Sequence, residues 1–258
     1  MRCRIEIGLL VLTAFASTSL RAIPPQTAPE IKALIGQRLI LVGYGSKAEI
    51  SYSTPSVLGK PAPGCDRPVE IRKASYSGNQ LRIDVEEIGT LQLPSHSTAG
   101  QIAPCRGGSE TTRLSIRKVS PDAVAATLHL VLEYVLVSPE DYLKSHGVKL
   151  DFPPDAGDEM PVSAAPARGA PLSPKTLLMV QPSYSNEARK ARLQGAITVA
   201  FVVGSDGRVR SPRIVKGLGS GLDEQALRVL PMWRFEPVQL NSKPVAVSST
   251  AVITFHLY

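Results

Sequence analysis

The residues from Gly195 to Val203 alternate between apolar and small or polar side chains, and this pattern constrains the fold more than any other. A period of two is typical of a β-strand with one buried face. The Gly204–Gly207 segment that follows is typical of a hairpin turn. A second strand is therefore predicted over Arg208–Lys216. Because Pro212 cannot donate a ladder hydrogen bond, this strand is expected to have a bulge or to lie at a sheet edge.

Two helices and a last strand are predicted around this hairpin. Ser185 is placed to cap a short helix, Asn186–Leu193. A second helix, Leu222–Met232, has apolar residues at helical spacing and is expected to end or kink at Pro231. The last strand is predicted over Val245–Leu257. The order predicts an α+β fold, with a three-stranded antiparallel sheet and two helices on one face.

Residues 27–150 are predicted to form a strand-rich N-terminal domain of unknown function, and a hairpin is expected at Ser77-Gly78-Asn79. The predicted strands are Arg38–Val42, Pro68–Tyr76, Gln80–Glu86, Thr90–Leu93, Arg113–Val119 and Leu128–Val137. A helix capped by Ser138, Pro139–His146, ends the domain. A linker rich in proline and alanine, residues 151–174, is then expected to join it to a C-terminal domain, residues 175–258.

The first 22 residues have the layout of a secretory signal peptide. Arg2 and Arg4 precede an apolar run, Ile7–Leu20. This run is shorter than the roughly 20 residues that a membrane-spanning helix needs. An uncleaved signal-anchor is the alternative. Both interpretations predict that the rest of the chain lies outside the cytoplasm.

Two cysteines, Cys65 and Cys105, follow the signal-like segment. In an exported chain an even pair favours a disulfide, which here would tie two long loops together. Two buried free thiols are the alternative. No CxxC motif or nearby histidine pair accompanies them, so no metal site is expected.

The charge of the chain is uneven. The net charge is +7, and residues 175–258 carry 11 Lys/Arg against 5 Asp/Glu. A basic module suits an anionic surface such as cell-wall polymer, phospholipid head groups or an acidic peptide. Lys and Arg do not cluster in runs or alternate with aromatic residues, which argues against nucleic acid. No nucleophile elbow, P-loop or dinucleotide fingerprint is present, so neither an enzyme nor a cofactor is expected.

Residues 181–258 also carry a series of short motifs in a fixed order. The motifs are Gln181-Pro182 with Tyr184, Arg192 and Gly195 before a strand ending in Phe201-Val202-Val203, Asp206-Gly207 with Val209, Leu222-Asp223 with Ala226-Leu227, Trp233–Pro237, and Pro244-Val245. In this order, the segment resembles the C-terminal domain of the TonB energy-transducer family. The resemblance covers under a third of the chain. It departs from the family at Ser185, where proline is usual, at Pro231, and in the presence of the first domain.

The resemblance implies a periplasmic module that binds an extended peptide of an outer-membrane transporter. In this family the peptide adds to the edge of the last strand, beside the Gln-Pro-x-Tyr segment, so that main-chain hydrogen bonds supply affinity. The implied partner-binding residues are Gln181, Pro182, Tyr184, Val245, Val247, Ser249, Ala251 and Ile253. An anchored energy transducer would also contact inner-membrane motor proteins. The alternative is a soluble periplasmic interaction or peptidoglycan-binding module, and a homodimer is a third use of the same edge.

Overall fold

The computed structural model describes residues 29–44, 48–58, 65–93, 111–148, 150 and 174–257. Both helices and strands are present, as an α+β fold requires. The helices are α1 (Pro29–Lys32), α2 (Val124–Tyr134), α3 (Pro139–Ser145), α4 (Asn186–Lys190) and α5 (Leu222–Val229). The strands before the predicted linker are β1 (Arg38–Leu41), β2 (Glu49–Tyr52), β3 (Arg67–Ser77), β4 (Gln80–Glu87), β5 (Gly89–Gln92), β6 (Thr111–Arg117) and β7 (Leu136–Val137). The later strands are β8 (Thr176–Pro182), β9 (Gly195–Val203), β10 (Val209–Lys216), β11 (Arg234–Phe235), β12 (Val238–Leu240), β13 (Lys243–Val245) and β14 (Val247–Phe255).

A six-stranded sheet in the order β2-β6-β4-β3-β1-β7 dominates the N-terminal part. The predicted hairpin joins β3 to β4, with Gly78 and Asn79 both at positive φ. Two consecutive positive φ values suit the twist of paired strands, which explains why this turn was predictable. The aliphatic side chains of one sheet face pack against α1 and α2 in a buried cluster.

The prediction of a strand over Leu128–Val137 is wrong. Most of this stretch belongs to α2, and only Leu136 and Val137 form a strand. The buried residues of α2 recur at helical spacing; they are Val124, Thr127, Leu128 and Val131. An almost continuous apolar run fits both the strand period of two and the helical period of 3.6, so the run alone does not distinguish a strand from a helix. The helix begins at Val124, before the predicted strand.

In the C-terminal part, β9 lies between β10 and β14 in an antiparallel sheet. Of the predicted alternatives for β10, the bulge is confirmed by a register shift between Arg210 and Arg213, around Pro212. Among the described strands β10 pairs only with β9, so it also lies at the edge of the sheet. The predicted interruption at Pro231 is confirmed as well. Helix α5 ends at Val229, and Pro231 lies in the following 3-10 turn, Leu230–Met232.

The last strand begins later than predicted. Val245 ends β13, which pairs with β12 around a turn at Asn241 and Ser242. The chain then passes through the buried Ala246 and enters β14 at Val247. Val245 therefore does not belong to the edge strand.

A strand that the sequence did not predict joins the two parts of the chain. Strand β8 lies between β11 and β5, and β5 precedes the predicted linker. One buried apolar cluster also contains residues from both parts. It includes Ile40, Ile88, Leu91, Val137, Tyr142 and Leu143 together with Leu178, Val180, Val203, Trp233 and Phe255. The division into domains at residues 151–174 stays a prediction.

Several expectations fall outside the described residues. These are the signal peptide or signal-anchor, the linker and Cys105. The disulfide between Cys65 and Cys105 therefore stays a prediction. Within the part of the chain that is described, no helix has the length and apolar character needed to cross a membrane.

Candidate functional site

Within the described part of the chain, one edge of strand β14 carries no partner strand. Among the strands that the structure describes, it pairs only with β9. The amide of Gly204 donates to the carbonyl of Arg208 at 2.9 Å, so the backbone of Gly204 faces the β10 side. Successive residues of an antiparallel strand alternate in direction, which turns Val203 toward β14. The register between β9 and β14 then identifies the backbone groups at the free edge, which belong to Ser248, Thr250, Val252 and Thr254.

This alternation assigns a different part to four of the predicted residues. Val247, Ser249, Ala251 and Ile253 lie opposite Val203, Phe201, Val199 and Ile197, and their backbone groups face β9. The side chains of Val247 and Ile253 are buried in the core. These residues therefore hold β14 in the sheet by pairing with β9, and they do not present backbone groups to a partner. The edge-facing set was missed, although counting back from the Gly204–Gly207 turn would have indicated it.

Gln181 reaches the end of this edge. It lies in β8 opposite Thr90, and its side-chain amide donates to the carbonyl of Thr254 at 3.1 Å. The neighbouring Pro182 is instead buried and lies opposite Gly89. The hydrogen bond to β14 is therefore made by Gln181.

Tyr184 contacts the same end of β14. Its ring packs edge-to-face on Phe255, with ring centroids 5.3 Å apart. Its hydroxyl donates to the carbonyl of Leu193 at 3.2 Å. Partial burial raises the pKa of this phenol, so it stays neutral and keeps its donor. The structure therefore brings Gln181 and Tyr184 together beside the C-terminal end of the edge strand.

Local contacts hold this segment in place. The Ser185 hydroxyl accepts a hydrogen bond from the amide of Ala188 at 3.0 Å, which confirms the predicted cap of α4. The same hydroxyl donates to the carbonyl of Ser220. The indole of Trp233 donates to the carbonyl of Val180 in β8 at 2.9 Å.

Ion pairs connect residues 174–257, the C-terminal module, to residues before the predicted linker. Glu140 of α3 lies 2.8 Å from the Nε of Arg208 and 2.9 Å from the Nε of Arg234. Burial raises the pKa of Glu140, but the charges of Arg234 and Arg208 and hydrogen bonds outweigh burial and leave it lowered. In α5, the Nε of Arg228 lies 2.7 Å from Oε2 of Glu70, and its Nη2 lies 2.9 Å from Oε2 of Glu86.

A polar cavity of about 320 Å³ lies beside Tyr184, between these two parts. Glu86 and Glu87 line it on one side, and Ser183, Asn186 and Gln225 are among the lining residues from the module. In the described part of the chain, no three His, Cys, Asp or Glu side chains are grouped so as to hold a metal ion.

Comparison with known proteins gives matches that centre on the C-terminal part. Residues 180–257 match the family model described as Gram-negative bacterial TonB protein C-terminal. Protein TonB of Klebsiella pneumoniae is 31% identical over 75 residues, which are 29% of this chain and 31% of that protein. Protein TonB of Pseudomonas aeruginosa is 30% identical over 84 residues, 32% of this chain and 25% of the relative.

A solved structure is also similar, the solution NMR structure of the Pseudomonas aeruginosa TonB CTD. The sequence identity is 26%, the match covers 37% of this chain and 93% of that one, and the TM-score is 0.29. The chain thus spans about a third or less of the length of the two full TonB relatives. The motifs that run from Gln181 to the last strand lie within the matched residues, and residues 180–257 therefore belong to the TonB C-terminal domain family.

Proposed function

We propose that this protein is a periplasmic TonB-like protein that binds an extended peptide of an outer-membrane transporter by strand addition to β14. The observation that carries the proposal is the edge of β14 that no described strand occupies, with Gln181 at its end. A peptide strand laid along this edge would exchange hydrogen bonds with Ser248, Thr250 and Val252, and would end near Thr254, whose carbonyl accepts from Gln181. Gln181 and Tyr184 would contact it where β14 ends.

The composition of β14 supports this proposal. Its nine residues include no charged residue and no proline. Edge strands that must stay unpaired usually carry lysine, proline or a bulge, because an unpaired backbone otherwise invites another strand. An edge without these devices suits a strand that takes up a partner.

Energy transduction is the larger role that the family suggests. In that role the protein would be anchored in the inner membrane and driven by motor proteins there. The alternative is a periplasmic interaction or peptidoglycan-binding module that does not transduce energy. The pairing of β5 with β8 favours this alternative, because the module is then held by N-terminal residues of its own chain.

The first test is peptide binding by an edge variant. The probes are synthetic peptides copied from the periplasmic N-terminal segments of outer-membrane transporters of the same cell. Thr250→Pro removes an edge-facing N–H, and we expect it to weaken binding at least about tenfold, or about 1.4 kcal/mol. Isothermal titration calorimetry measures the effect.

Thr250→Val is the matched control, since it keeps both the N–H and the β-propensity and should bind like the wild type. Circular dichroism checks that both variants are folded. Equal affinity of folded Thr250→Pro and the control would argue against strand addition at this edge. Sedimentation of the protein without peptide tests whether the edge is used for a homodimer instead.

A further inference from the structure

The C-terminal module has a second strand edge, and this one is occupied within the chain. Strand β5 covers the side of β8 that β11 does not. We propose that the described residues before the linker are a resident strand-addition partner of the module, and that they stay bound to it when the covalent connection is cut. The module would thus have two strand-addition edges, β8 filled from its own chain and β14 open.

The pairing of β5 with β8 is continuous over four residue pairs. They run from Gly89 opposite Pro182 to Gln92 opposite Met179. The amide of Ser183 extends the pairing by donating to the carbonyl of Ile88 at 3.1 Å. This is the geometry of β-augmentation, in which one part supplies a short strand to the sheet of another.

The strands meet most closely at Gly89. A Cβ atom at this position would lie 2.1 Å from the carbonyl oxygen of Gln181 and 2.8 Å from Cγ1 of Val180. Both distances are far shorter than contacts between nonbonded atoms, so any side chain here would push β5 away from β8. The pairing therefore depends on a glycine at this position.

Apolar burial adds to the strand pairing. Ile88 and Leu91 on one side and Leu178 and Val180 on the other belong to the same buried cluster. Tyr142 of α3 joins this cluster and is fully buried. Because apolar surface would be exposed to water if the two parts separated, the cluster favours their association.

Two groups of ion pairs fix the orientation of the two parts. The side chains of Glu70 and Arg228 are 8% and 13% exposed, and those of Glu140 and Arg234 are 14% and 8% exposed. Separation would leave Arg228 and Glu140 without the ion pairs that they make across the two parts, whereas Glu70 would keep its pairs with Arg38 and Arg72. Buried pairs of this kind contribute to specificity because removal of one member is costly.

The test uses the full chain with a protease site inserted into the predicted linker. After cleavage, the two halves are analysed by size-exclusion chromatography at micromolar concentration, and their dissociation constant is then measured by biolayer interferometry. We expect the wild-type halves to elute together. Gly89→Ala should raise the dissociation constant at least about tenfold, whereas Thr90→Val, one residue further along β5, should leave it unchanged.

Glu140→Gln provides a second variant that does not disturb the backbone. It removes the charge that faces Arg208 and Arg234, and we expect the dissociation constant to rise about tenfold or more, as for a lost charge-assisted hydrogen bond. Wild-type halves that separate at micromolar concentration would overturn the proposal. So would halves whose affinity is the same with Gly89→Ala and Glu140→Gln as without them.

Discussion

Trp233 links strands β8 and β9 through a single side chain. It is the only tryptophan of the chain and is 1% exposed. Its indole donates to β8 at Val180, and its ring packs edge-to-face on Phe201 of β9 with centroids 5.9 Å apart. This geometry makes a smaller aromatic ring a poor substitute at position 233.

We therefore predict that Trp233→Phe lowers the free energy of unfolding by about 2 kcal/mol. The substitution removes the hydrogen bond to Val180 and leaves a space where the indole ring was. Urea unfolding followed by far-ultraviolet circular dichroism measures the change. Val252→Thr is the control, because Val252 is 65% exposed and should change stability by less than about 0.5 kcal/mol. A Trp233→Phe effect as small as the control would contradict this account of the core.

Elements whose chemistry is local were predicted from the sequence, and elements that depend on distant partners were not. The hairpin at Gly78 and the bulge at Pro212 follow from residues within a few positions. Strand β8 owes its pairing to β5 and β11, which lie far away in the sequence, and no local pattern specifies either contact. The α2 helix was missed for a different reason, since its apolar run fits the strand period of two as well as the helical period of 3.6.

The candidate site divides in the same way. Gln181 and Tyr184 were expected from the family resemblance, and both lie against the end of β14. The edge-facing residues such as Thr250 were not expected, because identifying them requires knowing which backbone groups of β14 point toward β9. Val245 was assigned to the wrong strand because the short β12–β13 hairpin interrupts the expected run.

The two helix caps permit a prediction at the level of an element. Ser185 caps α4 and Ser138 caps α3, each by accepting a hydrogen bond from the amide three residues later. Ser185 is also 5% exposed and donates to the carbonyl of Ser220. We expect Ser185→Ala to cost about 2 kcal/mol and Ser138→Ala about 1 kcal/mol, because the first also removes a buried hydrogen bond.

Urea unfolding of the two alanine variants measures both costs. Ser248→Ala is the control, since Ser248 is exposed and lies in a strand rather than at a helix terminus. The reverse order, with Ser138→Ala the more damaging, would show that the contact with Ser220 adds nothing to the cap.

At the scale of the whole molecule, charge connects the two parts of the chain. Glu86 and Glu140 lie before the linker and pair with arginines of the module. Burial raises the pKa of each carboxyl. Arg228 and Arg72 beside Glu86, and Arg234 and Arg208 beside Glu140, nevertheless leave both pKa values lowered. The lowered pKa values mean that the folded chain favours the ionised form of both carboxylates.

A lowered folded-state pKa sets the direction of the pH dependence. The stability that these carboxylates contribute is fully present above their unfolded-state pKa, about 4.3, and is lost as the pH falls through the lower folded-state value. We predict that the double variant Glu86→Gln/Glu140→Gln is less stable than the wild type at neutral pH. Between about pH 6 and pH 3 it should lose less stability than the wild type. Urea unfolding across this range measures both curves, and the exposed Glu224→Gln is the control for loss of a single carboxylate elsewhere. Parallel curves for the double variant and the wild type would mean that other carboxylates govern the acid sensitivity.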